Sequence, residues 1–121
     1  MPKRILIIDD DPDILEILDI IFKEEGYEVK ISETGEEAED IQQLDPDLVL
    51  LDIRLIGSPK DGAEICARIK SRNLAKYLPV ILISAEDNLE RISKRCGADG
   101  YLSKPFTAIQ IISKVRELFA A

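Results

Sequence analysis

The chain alternates, from one end to the other, between short strand-like runs and longer amphipathic stretches, and this alternation constrains its fold more than any other feature. Arg4 to Ile8, Leu48 to Leu51 and Val80 to Ile83 are apolar runs too short for a helix, as expected of strands covered on both faces. Tyr27, Val29 and Ile31 alternate like an edge strand, and Tyr101-Leu102 reads as a short fifth strand. Between them lie helical signals. Asp11 is a plausible N-cap with Pro12 at the first helical position, Ile14, Leu18, Ile21 and Phe22 follow at helical spacing, and Gly26 supplies a stop. Thr34 and Glu37 form a capping box ahead of Ala38, Ile41 and Leu44. Asp61 and Glu64 open a helix carrying Ile65 and Ile69, and another runs from about Leu89 to Cys96 and ends at Gly97. Thr107 caps a last helix with Ala108, Ile112, Val115 and Phe119 on its inner face, while Ile109 and Ile111 leave that stripe.

Five such strand-then-helix units, with no linker or low-complexity segment, predict one α/β domain over residues 1–121: a doubly wound parallel sheet with helices on both faces. In sheets of this kind ligands bind beyond the carboxyl ends of the strands. Composition narrows what can happen there. The chain has no histidine, which removes Ser-His-Asp and Cys-His catalysis and imidazole metal ligands. With 16 Lys and Arg against 24 Asp and Glu, a net charge of −8 argues against direct nucleic-acid binding. Cys66 and Cys96 lack metal-ligand spacing and read as two buried thiols rather than a disulfide. No apolar stretch is long enough to span a membrane, and the expected location is cytoplasmic.

The polar residues at the strand ends are Asp9-Asp10, Asp52, Ser84 and Lys104-Pro105. Taken singly, each has an ordinary explanation. Asp9 or Asp10 could cap the next helix, as Asp11 does, Ser84 could simply end a strand, and Lys104 could be a solvated surface lysine. Asp52 is harder to dismiss, because no strong helix start follows it. Together they are chemically compatible. Three carboxylates at neighbouring strand ends repel one another unless a cation joins them, and an all-oxygen donor set suits Mg²⁺ before Zn²⁺. A lysine and a hydroxyl beside them could hold phosphoryl oxygens.

The chain resembles the receiver domains of two-component response regulators over essentially its full length. The motifs are Ile-Leu-Ile-Ile-Asp9-Asp10-Asp11-Pro12, Asp47-Leu-Val-Leu-Leu-Asp52, Asp61-Gly62, Pro79-Val-Ile-Leu-Ile-Ser84-Ala85 and Gly97-Ala-Asp-Gly100-Tyr101-Leu-Ser-Lys104-Pro105-Phe106. The resemblance implies a flavodoxin-like sheet of five strands in the order 2-1-3-4-5. It makes Asp52 the phosphoacceptor, receiving its phosphoryl group from a sensor histidine kinase or histidine phosphotransfer protein. Asp10 would ligate Mg²⁺ directly, Asp9 through water, and the backbone carbonyl of Arg54 would be a further ligand. Lys104 and Ser84 would hold the phosphoryl oxygens, and Lys104-Pro105 would be a cis peptide. Ser84 and Tyr101 would be the switch residues, altering the face formed by the fourth helix, fifth strand and fifth helix. That face would meet an unknown output partner, with a phosphorylation-dependent homodimer as one form. Such a domain catalyses its own phosphorylation and dephosphorylation without being a conventional enzyme.

Two departures from the family pattern stand out. Asp52 and Gly62 lie ten residues apart, so Leu55 to Lys60 reads as a loop two residues longer than usual. Position 54 is Arg where smaller polar residues are common, and Arg54 and Glu86 are expected to face each other across the mouth of the site. An ion pair there would add only about 0–1 kcal/mol of stability, yet it could shield an aspartyl phosphate from water. Two other functions compete. A Mg²⁺-dependent phosphatase with an aspartate nucleophile typically has a general acid two residues on, where this chain has Arg54. A degenerate receiver would act as a phosphorylation-independent interaction module.

Overall fold

The computed structural model describes residues 2–34, 38–55, 61–72 and 77–120. Five strands, β1 (Arg4–Ile8), β2 (Glu28–Ser32), β3 (Leu48–Asp52), β4 (Val80–Ser84) and β5 (Gly100–Ser103), alternate with five helices. These are α1 (Pro12–Glu24), α2 (Ala38–Leu44), α3 (Gly62–Ser71), α4 (Leu89–Cys96) and α5 (Ala108–Ala120). All strand pairs are parallel and the sheet order is β2-β1-β3-β4-β5, with the strongly apolar strands β1, β3 and β4 in the middle. The registers bring the strand ends level. Ile8 lies beside Leu51, Asp52 beside Ile83, and Ser84 beside Ser103. Asp52 and Ser84 are thus the last residues of their strands, at the strand ends where the sequence puts them.

Alternate side chains along the central strands feed two separate cores. Leu6, Ile8, Val49, Leu51, Val80 and Leu82 pack with Ile41 of α2, Ile65 and Ile69 of α3, and Leu89 of α4. Ile5, Ile7, Leu48, Leu50, Ile81 and Ile83 pack on the other face with Leu15, Leu18 and Phe22 of α1 and with Ile111 and Val115 of α5. Each fully buried aliphatic side chain contributes about 1.5–3 kcal/mol of transfer free energy, so the two cores rather than local propensity hold the helices.

The caps follow the sequence closely. Asp11 accepts the Asp13 N–H with Pro12 in the first turn, Asp61 accepts the Glu64 N–H, and Gly97 ends α4 in the left-handed region at φ 81°. Thr107 and Gln110 cap α5 reciprocally, Thr107 Oγ1 accepting the Gln110 N–H and Gln110 Oε1 accepting the Thr107 N–H. The Gln110 half of that box is absent from the sequence reading. Of the Thr34–Glu37 box, Glu37 lies outside the described residues, as do positions 56–60 of the lengthened loop.

Three expected facings are corrected. Ile111 is fully buried beside Val115 and Ala108 is exposed, while Ile112 and Phe119 are partly buried and do pack against the same core. Ile109 does face out. Leu44 is exposed at the end of α2, while β2 is the sheet edge that its alternation predicts, with Ile31 exposed on it. Cys66 and Cys96 are buried free thiols, and burial pushes the Cys66 thiol well above its ordinary range.

Candidate functional site

Parallel packing carries three carboxylates to one end of the sheet. Asp9 follows β1 directly, and its N–H donates to Ser32 O of β2, which fixes its backbone. Asp10 comes next, and Asp52 ends the adjacent strand β3. One carboxylate oxygen from each of Asp9, Asp10 and Asp52 lies within 4.8 Å of the others. Asp9 is fully buried and Asp52 is 4% exposed, while Asp10 is half-buried at the rim. The two Asp9 oxygens have separate partners, Oδ1 accepting the Asp11 N–H at 3.0 Å and Oδ2 the Lys104 ammonium at 2.8 Å.

Among the described residues, Lys104 is the cation in contact with these carboxylates. Its Nζ also lies 3.5 Å from Asp52 Oδ2, so one ammonium serves two buried carboxylates. Burial works to lower its pKa, but the bond to Asp9 and the charges of Asp52 and Asp9 outweigh burial and hold it above the ordinary lysine value. Asp52 is pushed up from 3.8 to about 7, first by burial and then by the Asp9 charge. Lys104 opposes that rise, and a hydrogen bond with Asp10 adds to it. One positive charge is therefore too little for three carboxylates. The all-oxygen donor set, crowded and short of positive charge, fits a hard divalent cation.

Neighbouring backbone sets the walls. Gly62, the first residue of α3, presses on the end of β3: a Cβ there would lie 2.0 Å from the Asp52 carbonyl oxygen. Its N–H donates to Ile53 O at 2.8 Å. Only a residue without a side chain allows this approach. Ser84 is buried, its Oγ accepting the Glu86 N–H at 3.1 Å and its carbonyl accepting the Lys104 N–H at 2.9 Å. The Lys104–Pro105 peptide bond is cis. Arg54 and Glu86 meet across the mouth, Arg54 Nε lying 2.5 Å from Glu86 Oε1. Tyr101 is turned outward on β5, 37% exposed. Asp9, Asp10, Asp52 and Lys104 thus form one cluster, Ser84 is buried at the end of β4 beside it, Arg54 and Glu86 pair at its mouth, and Tyr101 faces outward.

A flavodoxin-like α/β domain with an acidic pocket and a half-buried lysine at the carboxyl edge of its sheet defines a narrow class. Residues 5–116 match the response regulator receiver domain family, and the chain belongs to that family. The receiver domain of NtrX from Brucella abortus is 34% identical over 93% of this chain and 95% of that one, with a TM-score of 0.80. Against a longer NtrX chain the match covers 26% of that chain. A CheY-like response regulator receiver domain protein from Methanospirillum hungatei is 32% identical over 97% of this chain and 93% of that one, with a TM-score of 0.78. The BeF3-activated N-terminal receiver domain of RstA from Klebsiella pneumoniae is 26% identical over 94% of this chain and 96% of that one, with a TM-score of 0.82. Among the described residues no helix is long and apolar enough to cross a membrane.

Proposed function

We propose that this chain is a phosphoacceptor receiver domain of a two-component phosphorelay, taking a phosphoryl group on Asp52 from a histidine of a sensor kinase or phosphotransfer protein. The observation that carries the reading is the placing of Lys104 Nζ between Asp9 and Asp52, 2.8 and 3.5 Å away, inside a cluster of three carboxylates. An Asp52 oxygen attacks phosphorus, the bond from phosphorus to the donor's imidazole nitrogen breaks, and the electron pair leaves on that nitrogen, which takes up a proton. Lys104 is placed to receive a phosphoryl oxygen as a point charge, and Ser84 to offer its hydroxyl once it turns toward Asp52. The missing histidine fits this division of labour, since the donating imidazole belongs to the partner.

Asp10, Asp52 and the carbonyl of Arg54 would hold a magnesium ion, with Asp9 acting through water. When bound, the ion supplies the positive charge that lets an anionic phosphoryl group approach carboxylates. Beside Lys104 an apolar groove of about 370 Å³, lined by Ile14, Ile17, Leu18, Ala85, Pro105 and Phe106, offers the partner a docking edge. The α4-β5-α5 face, with Tyr101 exposed on it, would carry the output. We place the protein in the cytoplasm and expect neither a nucleic acid nor a membrane as its direct partner.

The test is incubation with Mg²⁺ and acetyl phosphate, followed by intact-mass measurement. A gain of one phosphoryl group that Asp52→Ala abolishes is the expected result. No gain in the wild-type chain would instead favour a receiver that works as a phosphorylation-independent interaction module.

A further inference from the structure

The turn after β4 links the rim of the pocket to its interior through three consecutive contacts. Ser84 Oγ accepts the Glu86 N–H at 3.1 Å, which closes a serine turn. The Glu86 carboxylate holds Arg54 Nε at 2.5 Å, and Arg54 stands two residues beyond Asp52. The Ser84 carbonyl is tied to the Lys104 N–H at 2.9 Å, so the backbone at Ser84 is anchored while its side chain faces the turn. A serine Oγ that moves to another staggered rotamer leaves this acceptor geometry, and the Glu86 N–H must then follow it or find another partner. Moving Ser84 toward Asp52 therefore gives up the bond that holds the Glu86 backbone where its carboxylate meets Arg54.

We propose that the Arg54–Glu86 ion pair is a latch on the Ser84 turn, holding it in the present arrangement and opening when the site takes up a phosphoryl group. The proposal rests on Asp52 being the phosphoacceptor and adds a regulator of the same site. The latch is a light one. The Arg54 side chain is 78% exposed and that of Glu86 27%, so water and salt screen the pair. A pair of this kind biases two arrangements by about two- to fivefold, enough to tune a switch without locking it. It also differs from a shield over the phosphate: a shield has to stay closed after phosphorylation, whereas the latch is then open.

The two roles of charge here predict opposite patterns, which makes the latch testable. Acting only through the field at an anion site, Arg54→Gln would weaken anion binding and Glu86→Gln would strengthen it. Acting as a latch, both variants release the turn and both strengthen binding. Both keep the peptide backbone, including the Arg54 carbonyl. The experiment is calorimetric titration of the Mg²⁺-loaded chain with beryllofluoride, a phosphoryl mimic, for wild type, each variant and the double variant. We expect both single variants to bind about two- to fivefold more tightly and the double variant to match them rather than add. Hydrogen exchange at the Glu86 amide, measured without metal or mimic, is expected to quicken in Arg54→Gln. Opposite shifts in the two single variants, unchanged affinity in both, or unchanged Glu86 exchange would overturn the latch while leaving Asp52 as phosphoacceptor. A wild-type chain that binds no beryllofluoride would remove the phosphoacceptor reading and the latch together.

Discussion

At the scale of single residues, the pocket is a set of charges that the folded chain holds at a cost. Asp52 is pushed up to about 7 by burial and by the Asp9 charge, against 3.8 for an unperturbed aspartate. Between those values the folded state retains a proton that the unfolded state has lost. Stability from this group is therefore fully present below about pH 4 and falls as pH rises through about 7, the reverse of an ordinary salt-bridged aspartate. Asp52→Asn removes the titration. In a chelator its melting temperature is expected to exceed that of wild type more at about pH 8.5 than at about pH 5.5. Thermal melts at the two pH values check this, and a gap that does not widen with pH would show that Asp52 titrates normally. The acids and Lys104 were legible in the sequence because each interrupts or follows an aliphatic run. The roles of Gly62 and Gln110 were harder to see, since a glycine that makes room and a glutamine that completes a cap show their function only against their neighbours.

At the scale of elements, the site depends on how closely α3 approaches β3. Gly62 lies so near the Asp52 carbonyl that any side chain has to push backbone aside. Gly62→Ala is expected to cost about 1–3 kcal/mol, as overpacking does, and also to slow phosphoryl uptake, because the displaced backbone carries Asp52. Urea denaturation and the acetyl phosphate reaction measure the two effects. A variant with wild-type stability and rate would mean that α3 can shift without disturbing β3. Element identity was easy to read where local signals agreed, as in the buried strands β1, β3 and β4 or in α1 with Asp11 and Pro12. The inner face of α5 was not. Ile109, Ile111 and Ile112 point in different directions around the helix, and hydrophobicity alone does not choose among them. Depth of burial does: Ile111 and Val115 are fully buried, while Ile112 packs against the same core from its margin and Ile109 faces out.

Across the whole molecule, the two edges of the sheet have different work. The carboxyl edge gathers mutually repelling acids, and the opposite edge carries a half-buried ion pair that joins α3, β4 and the entry to β5. Lys70 Nζ lies 2.6 Å from Asp99 Oδ2 and donates to Leu78 O at 2.7 Å, with both side chains 16% exposed. The same Asp99 Oδ2 accepts the Val80 N–H at 2.8 Å, Asp99 Oδ1 accepts from the Tyr77 hydroxyl, and the Lys70 ammonium sits over the Tyr77 ring. Lys70 and Asp99 are 29 residues apart in sequence, so nothing local announces the pair. Removing one member leaves the other charge and the Val80 N–H poorly matched. Asp99→Ala is expected to cost about 1–3 kcal/mol, the range for leaving a polar group without its partner. The pair lies at the start of β4 and the pocket at its end, about 13 Å away at the usual rise per strand residue. While the variant remains folded, its Mg²⁺-dependent uptake of phosphate from acetyl phosphate should stay within about twofold of wild type, since sites this far apart with no shared partner behave independently. Chemical denaturation and uptake kinetics on the same sample separate the two quantities. A large loss of uptake in the folded variant would show that the two edges are coupled through β4.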